Sequence, residues 1–216
     1  MRYQFASLVV ALAGTSGAMA QTLRIDTNGF TVSPGGEFTA TPLTGSAGVV
    51  GLLADLSPTT FETFCVEANE HYRPGDTYAF VINTGAVQGG VGGQTSPNFD
   101  PLDPRTAYLY HHFRNKTLAL FDYSAGGRQG SAGALQQAIW FIENEGGTNN
   151  AFVALAEAAI LGGAWSGIGD VRVLNLSNGE FPNAQDQLTI VPGGIPTPGA
   201  GLLASLGLAA AARRRR

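Results

Sequence analysis

The chain is poor in several residue types. Its 216 residues include one cysteine (Cys65), one lysine (Lys116, against eleven arginines), and two methionines, and only 13% are charged. A single cysteine excludes an intramolecular disulfide framework and any zinc site built on two or more thiolates. A charged fraction well under the usual ~25% argues against a disordered polyampholyte or a coiled coil. The net charge of −4 offers no basic face, so no nucleic acid is expected as a partner. Neither GxGxxG nor GxxxxGK[ST] occurs, which removes the common phosphate-cradling loops. What remains is a chain with 44% hydrophobic residues, 30 glycines and 11 prolines. That length suits one domain with appendages, since a domain takes about 100 to 200 residues.

Both ends read as addresses. Residues 1–20 combine Arg2, an apolar run from Phe5 to Ala13, and Ala18-Met19-Ala20 as a small-x-small cleavage pattern, the order of a secretory signal peptide removed after Ala20 by signal peptidase. Its apolar core is too short to span a bilayer. Residues 196–216 carry two prolines, an apolar small-residue stretch from Gly199 to Ala212, and four terminal arginines, Arg213, Arg214, Arg215 and Arg216. Arginines resist translocation, and the stretch is short of the ~20 residues that cross the hydrocarbon core, so it predicts a transient membrane tether. The order Pro-x-Pro, apolar helix, arginine cluster resembles the PEP-CTERM class of bacterial sorting signals. Ile195-Pro196-Thr197-Pro198-Gly199 stands where that class usually has Val-Pro-Glu-Pro, without the glutamate. The resemblance implies a sorting protease of the exosortase type as partner, in a diderm bacterium that sends the protein to its envelope, outer surface or extracellular matrix. Without the two ends, sixteen acids face seven bases, and the segment 21–195 carries −9.

Within 21–195 the first half predicts strands: Thr22 to Asp26, Phe30 to Val32, Gly36 to Thr41, Gly48 to Leu53, Phe61 to Glu67 and Thr77 to Asn83. Turn signals at Asn28-Gly29, Ser33-Pro34-Gly35-Gly36 and Thr44-Gly45 separate the earlier ones. Alternation places Phe64 and Val66 on one face and Thr63, Cys65 and Glu67 on the other, so Cys65 need not belong to the main core. Gly85 to Pro104 reads as a long surface loop. Three helices are then expected: Arg105 to Asn115 behind the Asp103-Pro104 start, Ala132 to Glu145 capped by Ser131, and Asn150 to Leu161 begun by Thr148 or Asn149. Strands Val171 to Leu176 and Gln187 to Val191 close the segment. Strands, a helical block, then strands predict an α+β fold: an antiparallel β-sandwich or open barrel with about three inserted helices.

The chemistry centres on one cysteine and one glutamine. An exported free thiol needs a reason to survive, although free Cys also serves as a small buried apolar residue. Phe64-Cys65-Val66-Glu67, followed 71 residues later by Leu135-Gln136-Gln137-Ala138-Ile139-Trp140, resembles the thioester domains of bacterial surface adhesins. The resemblance covers roughly residues 63–145 and implies an internal thioester between Cys65 and Gln136. Leu135 stands where the family usually has threonine. Gln136 and Trp140, four apart, share a helical face, which places Trp140 to cover the glutamine. Phe64 flanks the cysteine, and Tyr108, Tyr110, His111 and His112 on the preceding helix are candidates to line the pocket or move protons.

Other constellations carry less. His71, His111 or His112 paired with Cys65 would suggest a hydrolase, but no hydrolase signature surrounds the cysteine. Adjacent His111 and His112 do not share a helical face as a metal pair at i,i+4 spacing would. Asp100 and Asp103 lack the alternating calcium-loop pattern, and Asp103 suits a helix cap. The sequence therefore predicts no cofactor, no metal and no enzyme. It predicts an exported attachment module that acts on a surface or matrix nucleophile. The alternative is a non-covalent structural or polysaccharide-contacting matrix protein.

Overall fold

A computed structural model describes residues 21–33, 35–43, 60–94 and 98–191. The expected signal peptide with Ala20, the turn residues Pro34 and Thr44-Gly45, the strand Gly48 to Leu53, and the tail with Pro196, Pro198, Gly199 and Arg213 to Arg216 lie outside the described residues. Among those described, no helix is long and apolar enough to cross a membrane.

The fold is α+β. Strands β1 (Thr22–Thr31), β2 (Gly36–Pro42), β3 (Phe61–Thr63) and β4 (Thr77–Asn83) precede a short pair, β5 (Gly85–Val87) and β6 (Phe99–Pro101). Helices α1 (Pro104–Arg114), α2 (Arg128–Ile142) and α3 (Ala151–Leu161) follow, then β7 (Val171–Ser177) and β8 (Ala184–Ile190). Six strands form one open antiparallel sheet in the order β3-β2-β1-β4-β7-β8, and β5 pairs with β6 beside it. The helical block is thus inserted between strands of one sheet system, as the sequence predicts.

Side chains alternate between two buried clusters, because successive strand residues point to opposite faces. Phe64, Val66, Val171, Val173, Leu188 and Ile190 pack with the apolar faces of the helices. Leu23, Ile25, Phe38, Tyr78, Leu174 and Cys65 form the second cluster, which Trp140 joins from α2. The expected division of Phe64 and Val66 from Cys65 holds.

Several boundaries differ from expectation for local reasons. Thr22 to Asp26 and Phe30 to Val32 are one strand, β1, whose register shifts between Thr27 and Thr31. There the Asn28 carboxamide accepts from the Phe30 N–H at 2.9 Å, which absorbs the irregularity without a chain reversal. Helix α2 begins a turn before Ser131. The Ser131 hydroxyl instead accepts from the Asp122 N–H at 3.0 Å. Arg128, at the new first turn, makes two hydrogen bonds of 2.8 and 2.9 Å to Glu37 of β2, tying that turn to the sheet. The cap of α3 is Asn150, whose side chain accepts from the Phe152 N–H. Asp103 caps α1 as expected. Gly85 to Pro104 is more than a surface loop: it supplies β5 and β6 and buries Ala86, Asp100 and Leu102.

Glu143, at the end of α2, joins two elements by accepting from the N–H of Asp103 at 3.3 Å. Burial pushes its carboxyl up to about 8. Between the ordinary carboxyl range and that value the folded chain keeps a proton that the unfolded chain releases, so this group lowers stability as pH rises from about 4.5 to 8. Glu143→Gln keeps the acceptor and removes the ionisation. Thermal melts are expected to show the variant gaining on the parent by roughly 3–4 kcal/mol between pH 5 and pH 8.

Candidate functional site

Cys65 lies at a seam of the sheet. The chain leaves β3 after Thr63, and residues 64–66 turn to the opposite sheet edge, where the Leu188 N–H donates to the Phe64 carbonyl and the Val66 N–H to the Asp186 carbonyl, each at 3.0 Å. Between these bonds Cys65 opposes Gln187 in a single antiparallel bridge. Both flanking bonds belong to its neighbours, so the N–H and C=O of Cys65 point away from β8. A buried backbone left so must find other partners.

Gln136 supplies them. Its Nε2 donates to the Cys65 carbonyl at 2.8 Å, and its Oε1 accepts from the Cys65 N–H at 3.3 Å. The same Oε1 accepts from the Gly36 N–H at 3.4 Å and lies 3.2 Å from the Cys65 sulfur. One C=O bond length away, the carboxamide carbon is no farther than about 4.4 Å from the sulfur. Cys65 is 0% and Gln136 1% exposed, so both groups are withdrawn from bulk water.

The surrounding field is apolar and acidic. Burial raises the Cys65 thiol far above its ordinary value, and the carboxylates of Glu145 and Glu67 add to the rise. The Cys65 backbone N–H and the Trp140 indole act in the other direction, each ahead of either carboxylate, but do not offset burial. The thiol is therefore held in its neutral form, a donor toward the Gln136 carbonyl oxygen.

The loop between β1 and β2 closes over the pair. A Cβ on Gly35 would come within 2.6 Å of the Trp140 ring and 2.9 Å of the Gln136 side chain. With φ at +96°, position 35 also favours glycine by backbone conformation. Two clefts flank this lid. One, of about 200 Å³, is lined by Val32, Ser33, Gly35, Gly36, Gly133 and Gln136, among others. The other, of about 310 Å³, reaches Trp140 past Phe38, His71 and Tyr72.

The remaining sequence candidates are placed as follows. Trp140 lies beside Gln136 under Gly35. Phe64 faces the opposite cluster, edge-on to Phe113 at 5.0 Å. Tyr110 donates from its hydroxyl to the carbonyls of Glu62 and Leu188, a structural tie across the seam. Tyr108, His111 and His112 gather around Trp165. None of these four helix residues lines either cleft. His71 lines the second cleft, yet the hydrogen-bond partner of the sulfur is Gln136 rather than a histidine. Gly35 and Gly36 read in the sequence only as turn formers. Their part in covering and hydrogen-bonding the glutamine depends on an approach of β2 to α2 that spacing along the chain does not show.

Chemically, this is a neutral thiol against a carbonyl whose oxygen receives two backbone N–H groups. Such donors stabilise negative charge on that oxygen if the carbon becomes tetrahedral. No protein-family model, curated protein or solved structure matches the chain.

Gly35→Ala should move the lid, because its methyl meets an aromatic ring and strained backbone together. We expect a loss of about 1–3 kcal/mol in urea unfolding. Gly126→Ala, at a position with open space around it, is expected to stay within about 0.5 kcal/mol of the parent.

Proposed function

We propose that the protein is an exported surface attachment module in which Cys65 and Gln136 condense to an internal thioester that a partner nucleophile later opens. The observation that supports this reading best is the 3.2 Å approach of the sulfur to a carbonyl oxygen already bonded to the N–H groups of Cys65 and Gly36.

In the first step the Cys65 sulfur attacks the Gln136 Cδ. The C–N bond breaks, the thiol proton leaves with the amide nitrogen, and ammonia departs. The two N–H groups stabilise the developing oxyanion, and exclusion of water protects the product from hydrolysis. In the second step an amine or hydroxyl reaching the carbonyl through the cleft beside Val32 and Gly133 forms a bond to Cδ and returns its proton to the sulfur. The partner is then joined to Gln136, and Cys65 is a thiol again. The reaction runs once per molecule, so the protein is a covalent binder and not an enzyme.

The two ends of the chain support export and sorting. Signal peptidase and an exosortase-type protease would process them, with a transient tether at the inner membrane and delivery to the envelope, outer surface or matrix of a diderm bacterium. The nucleophile belongs to a surface or matrix component. A second reading, a non-covalent matrix protein that contacts polysaccharide, is favoured by the same carboxamide in another role. Gln136 satisfies both backbone groups of Cys65, reason enough for a glutamine at that site.

Intact mass of the purified chain separates the two. The thioester requires a deficit of about 17 Da, the mass of ammonia, that disappears in Cys65→Ala and in Gln136→Ala, and methylamine should then add at Gln136 while freeing one thiol. A full sequence mass, with Cys65 titrating as a free thiol on denaturation, would leave the non-covalent reading standing alone.

A further inference from the structure

Near the thioester pair, Glu67, Glu70 and Asp186 converge from two elements, the segment after β3 and strand β8, and all three are buried. One ligand atom from each lies within 4.8 Å of the others. Three atoms within that span have a common point no farther than about 2.8 Å from each, so a calcium–oxygen shell of about 2.3–2.6 Å needs at most a few tenths of an ångström of side-chain approach. A cluster of acids alone would not distinguish an ion site from a costly piece of core, but two further observations bear on it. Glu67 Oε2 and Glu70 Oε1 are buried oxygens that no N–H or alcohol donor among the described residues reaches. Their residues are 1% and 7% exposed, so bulk water does not supply one either. The acid-paired arginines Arg24, Arg73, Arg105 and Arg128 direct their charge to other carboxylates.

The rest of the neighbourhood adds negative charge and fixed geometry. Asp186 is held by the N–H groups of Val87 and Leu176 and by Asn175, at 2.7 to 3.1 Å. Glu70 Oε2 accepts from the Asp186 N–H at 3.2 Å, so donors from both elements are oriented before any ligand arrives. The loop after β5 shuts against them. A Cβ on Gly89 would stand 2.1 Å from Glu70 Oε1, and one on Gly90 2.8 Å from Glu67 Oε1. Glu145, anchored by the Val91 and Gly92 N–H groups, contributes further negative potential. Burial holds the Glu67 and Glu70 carboxyls above the usual range; a hydrogen bond between the two adds to the rise at Glu67 and offsets part of it at Glu70, where the Asp186 N–H and His71 also oppose it.

We propose that Glu67, Glu70 and Asp186 form a calcium site that pins the segment after β3 to strand β8. The donor set is all oxygen, which selects a hard cation over zinc or copper. Three carboxylates in a cage closed by a glycine loop suit calcium better than magnesium, which keeps several waters and uses one or two carboxylates. Because Glu67 lies two residues beyond Cys65, the ion fixes the stretch that carries the thiol. It does so whether or not a thioester forms.

The test is the full chain, stripped with EDTA and melted with and without millimolar calcium chloride. Calcium is expected to raise the midpoint by several degrees, and magnesium at the same concentration by much less. Glu67→Gln and Glu70→Gln, which each replace a buried carboxyl with a neutral amide of the same shape, should melt at or above the parent in EDTA and lose most of the calcium shift. Cys65→Ala should keep it, which separates this site from the thioester. The proposal is overturned by a parent chain that calcium does not stabilise, by an equal shift with magnesium, or by a full calcium shift in both glutamine variants.

Discussion

The structure depends on how the backbone of one residue is satisfied at the edge of an open sheet. Where the chain crosses from β3 toward β8, Cys65 occupies a position whose N–H and C=O face away from the neighbouring strand. Leaving both unpaired inside the protein would cost about 1–3 kcal/mol each. The Gln136 carboxamide answers both, so α2 must dock with that face turned to the seam. The Arg128 pair with Glu37, the Gly35 lid and the burial of Trp140 all follow from that docking. The contact that brings sulfur to carbonyl is thus the contact that completes the hydrogen bonding of the fold, and stability and the proposed chemistry share the same atoms.

Much of this was legible in the sequence because it is local. Period-two alternation separates Phe64 and Val66 from Cys65, and they do pack in different clusters. Leu135, Ala138, Ile139 and Ile142, three or four apart along α2, are buried together, and the spacing of Gln136 and Trp140 puts both under the same loop. What stayed hidden was set by partners distant in sequence. Ser131 looks like a cap until Arg128 finds Glu37 on another element. Tyr108, His111 and His112 sit on a helix near the motif in the chain, but their rings turn to Trp165, a residue of the segment after α3. The crossing of residues 64–66 to β8 was also invisible, since Phe61 to Glu67 reads as one strand while its two halves serve opposite sheet edges.

A chain with few charges has buried a surprising share of its acids. Glu37, Glu67, Glu70, Asp100, Glu143, Glu145 and Asp186 are all withdrawn from solvent. Among the described residues only Glu37 of these has a guanidinium in contact, and burial still outweighs that partner in setting its ionisation. Backbone N–H groups do most of the compensation, at Glu145 from three residues and at Asp186 from two. Such carboxylates staple loops to the sheet without long cationic side chains. This suits a sequence with a single lysine.

The seam also sets when Cys65 and Gln136 can meet. Cys65 and Gln136 lie 71 residues apart, and the strand edge that receives Cys65 comes from β8, later in the chain than either. Loop closure over such separations comes late, after local helices and hairpins have formed. An extended chain threading through a membrane would therefore carry an ordinary thiol and an ordinary amide. The proposed condensation would begin only where the last strand is laid down.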